Sequence, residues 1–452
     1  TSPQFVLQQA GDVCTDAEGG GLGCSDTVAF DSRAGLPAPE VPSDVAVKEA
    51  SAGPYDYAVV RADALEPMVA WLDANRYFVP DGSDAALAPY IRPGAYFLAL
   101  KLRAGESTGD LQPVVLEYDA ALPSIPIILT RIGAVEDMGI QVWVLGKERA
   151  VPRNYRHVEI NQEYLDWPGG VSNYQAVVAR AVDEAEGGRG FVTEMAGPTE
   201  PMRDLLDYAG RFGTRAELER AENLWQLFDL VERGDFPLGP MRAIWERNYP
   251  MPAQASAEIT ADAYYAELPR SVSIYDPEAG FDAAALTAEI WERIVDPTLE
   301  AGQLFRDNGY MTRLLTVMSP DEMTVDPVFE MGSELGDVGT LRQASFFIPC
   351  SDGPTRLLLS DGREFEVADL SQWTSRDRAG VPRAARIENL RAEGPPEIVV
   401  DNTEALADSA ARSRGQGSGG CAGARAAEGT ASSLLLLGSV LWARRRLARR
   451  RG

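Results

Sequence analysis

The chain has 452 residues, with 42 Lys+Arg, 68 Asp+Glu and one His, for a formal net charge of −26. So acidic a surface repels phosphate backbones and excludes sequence-independent nucleic-acid binding. A single histidine excludes sites that need two, such as H-E-x-x-H zinc centres and facial-triad iron sites. A hydrophobic fraction of 45% and a charged fraction of 24% describe a folded protein with core enough for one large or two ordinary domains.

Lys48, Lys101 and Lys147 are the only lysines, an arginine bias of the kind a GC-rich genome produces. Charge is also unevenly placed: residues 421–452 hold seven arginines and one acid, Glu428, so the tail carries +6 and the rest −32.

The chain opens Thr1-Ser2-Pro3-Gln4-Phe5-Val6-Leu7, without Met, basic n-region or apolar h-region. Phe5-Val6-Leu7 reads as part of a strand, and a fragment is expected. Cys14 and Cys24 flank a glycine-rich loop whose flexibility lets the two Cα atoms approach disulfide range. Zinc is disfavoured there because C-x-x-C spacing is absent. Cys350 is left as a buried thiol or the partner of another cysteine.

Residues 55–61 read as a strand, and Asp63-x-x-Glu66 with Pro67 opens a helix with Leu65, Met68, Val69 and Leu72 on one face. A second short helix is expected at 85–91. Stretches 95–103, 111–119, 125–133 and 140–147 are rich in Val, Ile, Leu and aromatics, and their short connections predict an antiparallel meander with 142–145 central. Ser172-x-x-Gln175 reads as a capping box before a helix that Gly187-Gly188 stops. A short strand is expected at 191–194, and a helix from Thr199 and Pro201. Thr214-x-x-Glu217 opens a longer helix with Leu218, Ala221, Leu224, Trp225, Phe228 and Val231 inward.

Pro250-Met251-Pro252 suggests a lobe boundary. A helix follows at 281–295, ending at Pro297, then a helical piece at 299–305. Strands are expected at 310–318 and 397–400, with an Asp361-Gly362 hairpin over 355–367. Strands in a block and helices in another predict an α+β class. The expected divisions are an N-terminal piece 1–54, a first lobe 55–250, a second lobe or continuation 251–400, a linker 401–428 and a terminal segment 429–452.

Residues 401–420 are rich in Ala, Ser, Asp, Arg and Gly, and read as a flexible tether. After Cys421, residues 429–443 are uncharged, with Leu434-Leu435-Leu436-Leu437 and Val440-Leu441-Trp442, and Arg444, Arg445 and Arg446 follow. Fifteen residues span only about 22 Å as a helix, short of the roughly 30 Å hydrocarbon core. The arginines give the segment the polarity of one whose end is held in the cytoplasm. This order of tether, cysteine, apolar run and arginines resembles the MYXO-CTERM sorting signal of myxobacterial surface proteins. The resemblance implies processing near Cys421, a place at the cell surface, and the membrane and its sorting machinery as partners.

The body resembles a bacterial family, domain of unknown function 2330. The likeness rests on Gly53-Pro54-Tyr55-Asp56-Tyr57-Ala58-Val59-Val60, then Trp71-Leu72, Asn75, Tyr77 and Val79-Pro80, then Phe191-Val192-Thr193-Glu194. A later block runs Tyr310, Thr312-Arg313, Thr316, Ser319-Pro320, Glu322-Met323, Asp326-Pro327 and Phe329, which extends the likeness to about residue 329. The resemblance implies an exported protein and assigns no catalytic residue.

No cofactor motif is present. His157 reads as a structural histidine, since no G-x-S-x-G elbow or papain-like cysteine accompanies it. Asp321, Glu322 and Asp326, with Glu330, are weak Ca²⁺ candidates without EF-hand spacing. The plainer reading is a capped turn, with Arg313 paired to one of these acids. Tyr164, Trp167 and Tyr174 could line a groove or pack in the core. The expected function is a non-enzymatic surface or envelope module, with an extracellular carboxylate-based hydrolase as the alternative.

Overall fold

The computed structural model describes residues 3–9, 45–52, 55–103, 114–206, 214–349 and 353–416. In chain order its strands are β1 (Gln4–Gln9), β2 (Val45–Ala52), β3 (Tyr55–Ala62), β4 (Phe97–Leu102), β5 (Met138–Gly146), β6 (Arg149–Pro152), β7 (Arg156–Ile160), β8 (Gly190–Pro198), β9 (Tyr310–Met318), β10 (Phe329–Gly332), β11 (Leu341–Phe347), β12 (Thr355–Leu358), β13 (Glu364–Val367), β14 (Ala384–Asn389) and β15 (Glu397–Asp401). The centre is a six-stranded sheet in the order β15-β14-β7-β8-β9-β5, antiparallel except for β7–β8. Nearly every residue of β8 and β9 is buried, as strands covered on both faces require.

One cover is the helix Tyr174–Val182, which links β7 to β8 as a parallel pair demands. Its Val178, Ala181 and Val182 pack against Val158, Val192, Leu315, Val317 and Ile387 of the sheet. The opposite face buries Val142, Val144, Phe191, Leu314 and Met318 with Ile127, Tyr155 and Phe329. Three smaller sheets complete the fold: β2-β3-β4, the β10–β6 pair, and β1-β11-β12-β13, in which β1 lies parallel to β11. The class is therefore α+β. The N-terminal piece is woven in rather than separate, since β1 joins β11 and β2 joins β3.

Helices between residues 200 and 307 form an insertion between the adjacent strands β8 and β9. Thr199 clasps its two ends. The Thr199 hydroxyl donates to the carbonyls of Phe305 (2.9 Å) and Asn308 (3.1 Å), and its N–H to that of Gly309 (3.0 Å). Within the insertion one core runs from Leu218 through Ile244, Tyr249 and Tyr264 to Val295. The expected lobe boundary at 250–257 thus lies inside a single core, because residues on both sides of it share the same apolar interior.

The capping box at Thr214 and Glu217 forms. Its helix stops at Glu219 and restarts at Leu224, where the Asn223 side chain accepts from the Gln226 N–H. The restart turns Leu227 inward and leaves Trp225 57% exposed, against expectation. Pro297 does not end its helix either. A π-helical turn at Trp291–Val295 runs directly into Asp296–Asp307, and the wider turn accommodates the proline's missing N–H within a continuous helix.

The expected meander does not form. β4 pairs with β3, and β5 with β9. Residues 114–119 belong to no strand, and Ile127–Thr130 is a short helix after Pro126, with Ile127 buried. β5 is an edge strand rather than a central one. The Arg313 guanidinium lies 4.8 Å from the ring centroid of Trp143, its cross-strand partner on β5.

The expected tether is ordered in its first part. Thr403–Gln416 is a helix, and Leu406, Ser409, Ala410 and Ser413 are its buried face at positions i, i+3, i+4 and i+7. Small residues carry that stripe, so composition alone conceals it. Among the described residues no helix is long and apolar enough to cross a membrane; residues 417–452, with Cys421 and Arg444, Arg445 and Arg446, lie outside them.

Candidate functional site

Strand alternation decides which polar groups meet. On β7, β8 and β14, Val158, Val192 and Ile387 face the covering helix, so His157, Thr193 and Glu388 point to the other side. There they line a cavity of about 550 Å³ with Arg149, Arg342 and Arg386. His157 and Glu388 are cross-strand partners, and the imidazole Nδ1 lies 3.6 Å from the Glu388 carboxylate. Arg386 reaches the other carboxylate oxygen at 3.3 Å. Contact with His157, and then with Arg386, outweighs burial and holds the Glu388 carboxyl below its usual value.

Arg149 is buried and donates to the Gly336 carbonyl (3.1 Å) and the Thr193 hydroxyl (3.3 Å). Burial pulls its pKa down. Beside it in the field, Tyr310 is pushed up by burial and by its 2.7 Å hydrogen bond to Asp337.

A β-bulge lies next to this cavity. β8 and β9 shift register between Thr193 and Met195, which frees Glu194 from the ladder. Its side chain, 1% exposed, meets Arg313 Nε at 2.7 Å and accepts from the Gln141 amide at 3.1 Å. Arg342, which lines the cavity, donates to the Glu194 carbonyl at 3.3 Å. Burial, and then Glu194, push the neighbouring Tyr174 hydroxyl up.

The residues expected to carry function are placed as follows. His157 is 8% exposed, with its Nδ1 3.6 Å from the Glu388 carboxylate. Arg313 pairs with Glu194 and not with the 321–326 acids, because it lies on β9 while those acids follow the strand. Asp321, Glu322 and Asp326 do not converge. Glu322 accepts from the Ser319 N–H (2.7 Å), while Asp326 accepts from the Tyr90 hydroxyl (2.6 Å) and the Ile128 N–H (3.0 Å). Among the described residues no three His, Cys, Asp or Glu side chains gather as a metal site. Trp167 and Tyr174 pack against Phe5 at 6.0 and 4.9 Å between ring centroids. Cys14, Cys24, Cys350 and Cys421 lie outside the described residues.

Sequence reasoning missed Glu388, Arg149 and Arg342. None sits in a spaced motif, and β14, with Arg386, Glu388 and Asn389 among its six residues, carries no pattern that singles out Glu388.

Residues 1–206 match the model of a family described as uncharacterized proteins conserved in bacteria, domain of unknown function 2330. The match includes His157 and Glu194 but stops short of the block at 310–329. No curated protein and no solved structure matches the chain.

Proposed function

We propose that this chain, whose residues 1–206 match the model of a domain of unknown function, is an exported protein sorted to the cell surface. In this reading its body is a non-enzymatic binding module, and residues 421–452 are the sorting segment: Cys421 is the processed position and Arg444, Arg445 and Arg446 are the cytoplasmic stop.

The observation that carries the binding reading is charge compensation in the sheet cavity. Glycoside hydrolysis by two carboxylates needs a general acid whose pKa is raised. Glu388 is instead held low by His157 and Arg386, and Glu194 is consumed by Arg313. Groups locked into mutual pairs position one another, which supports a binding role for these two carboxylates.

Fractionation of producing cells, with and without Cys421→Ala, tests the sorting. Retention in the envelope with unprocessed protein is expected for the variant, and unchanged processing and release would sink the proposal. Assay of the purified body against acidic and neutral oligosaccharides separates the hydrolase from the module; turnover abolished by Glu388→Gln would replace the binding reading.

A further inference from the structure

A second cavity, of about 510 Å³, opens where the turn before the helix Tyr174–Val182 meets the segment 374–383. Its lining includes Tyr164, Thr374, Arg376, Arg378 and Arg383, with Asp377 as the acidic residue among them. Three cations and one anion at one cavity stand out in a chain of net charge −26.

The charge behind this cavity is also unbalanced. Glu163 is fully buried, and one carboxylate serves three guanidinium groups: Arg376 at 3.2 Å, Arg363 at 3.5 Å and Arg378 at 4.0 Å. Ser409 of the C-terminal helix donates to the same carboxylate at 2.8 Å. Arg363 finds a second acid in Asp361 at 2.7 Å. Arg378 is committed to the loop, donating to the Thr374 carbonyl at 3.0 Å and to that of Trp373. The cluster is still not fully satisfied: Arg376 Nη1, Arg363 Nη1 and Arg378 Nε are each buried without a hydrogen-bond partner. A buried unpaired N–H is costly, and more so on a charged group. Arg383 is exposed and lies flat on Tyr164, its guanidinium 3.7 Å from the ring centroid, which restrains the fork without using its donors.

We propose that this cavity binds a small oxyanion, with Arg376 and Arg383 as its cationic donors and the Thr374 hydroxyl beside them. A planar guanidinium fork matches carboxylate and phosphate oxygens alike. An anion there offsets the surplus positive charge around Glu163. The site is distinct from the sheet cavity and stands whether or not the reading of that cavity holds.

Calorimetric titration of the full chain with inorganic phosphate and, separately, with citrate tests this against sodium chloride at equal ionic strength. Saturable binding of at least one probe is expected, and the probe preferred identifies the group. Arg383→Ala, at an exposed position, should weaken binding about tenfold, in line with loss of a charge-assisted hydrogen bond. Arg376→Lys, which keeps the charge but loses the fork, should weaken it too; if that variant melts early by circular dichroism, Arg383→Ala decides alone. No saturation beyond chloride, or equal binding by Arg383→Ala, overturns the proposal.

Discussion

Glu194 and Arg313 form a buried ion pair across the β8–β9 bulge, with Arg313 Nε 2.7 Å from the Glu194 carboxylate and the two side chains 1% and 9% exposed. The pair sits where the central strands must accommodate one extra residue. The bulge turns Glu194 out of the ladder, and the arginine supplies the charge that lets it stay buried.

Removing one partner therefore leaves the other charge buried and alone. Arg313→Met and Glu194→Gln are each expected to destabilise the fold by about 3–5 kcal/mol, and the double variant by clearly less than the sum. Urea denaturation of the four proteins measures the cycle. Additive losses would mean that the two groups do not depend on each other.

Glu388 gives the fold a pH dependence of known sign. Contact with His157 and Arg386 lowers its pKa in the folded state below the usual 4.5. Its stabilising contribution is therefore fully present above that value and is lost as the pH falls through the folded-state pKa. Melting temperatures from pH 7 to pH 3 should show Glu388→Gln less stable than the parent at neutral pH, with the gap closing in acid. A gap that widened below pH 4.5 would contradict the assigned direction.

The helix Thr403–Gln416 contributes to the body and is not merely its exit. Leu406 is 4% exposed, so Leu406→Ala should cost about 2–4 kcal/mol, whereas the exposed Glu404→Ala should stay within about 0.5 kcal/mol. Equal and negligible effects at both positions would return the segment to a tether. The helix also ties the C-terminal end of the described chain to the Glu163 cluster through Ser409.

Where local pattern was dense, the sequence was readable. The apolar run at 310–318 became β9 with those bounds, because its β-branched and aromatic residues suit a strand buried on both faces. Thr214 and Glu217 formed their capping box, and Asp361-Gly362 turned the hairpin with Gly362 at φ 83°. Where the stripe was built of small residues, as at Ser409, Ala410 and Ser413, composition pointed to a linker while the periodicity was that of a docked helix. Ile127–Thr130 was equally ambiguous, since a short apolar run after a proline suits strand or helix; the N–H of Ile128 accepted by Asp326, far along the chain, favours the helix.

Acidity, the single histidine, the α+β class and the blocks within residues 1–206 are legible along the chain, for these depend on composition and on near neighbours. That Glu194 meets Arg313, that His157 meets Glu388, and that three arginines converge on Glu163 emerges in the folded chain alone. Each of those pairings crosses strands or loops that are remote in sequence. No local spacing encodes them, because sheet order and the β8 bulge set which side chains share a face and how little water remains to screen them.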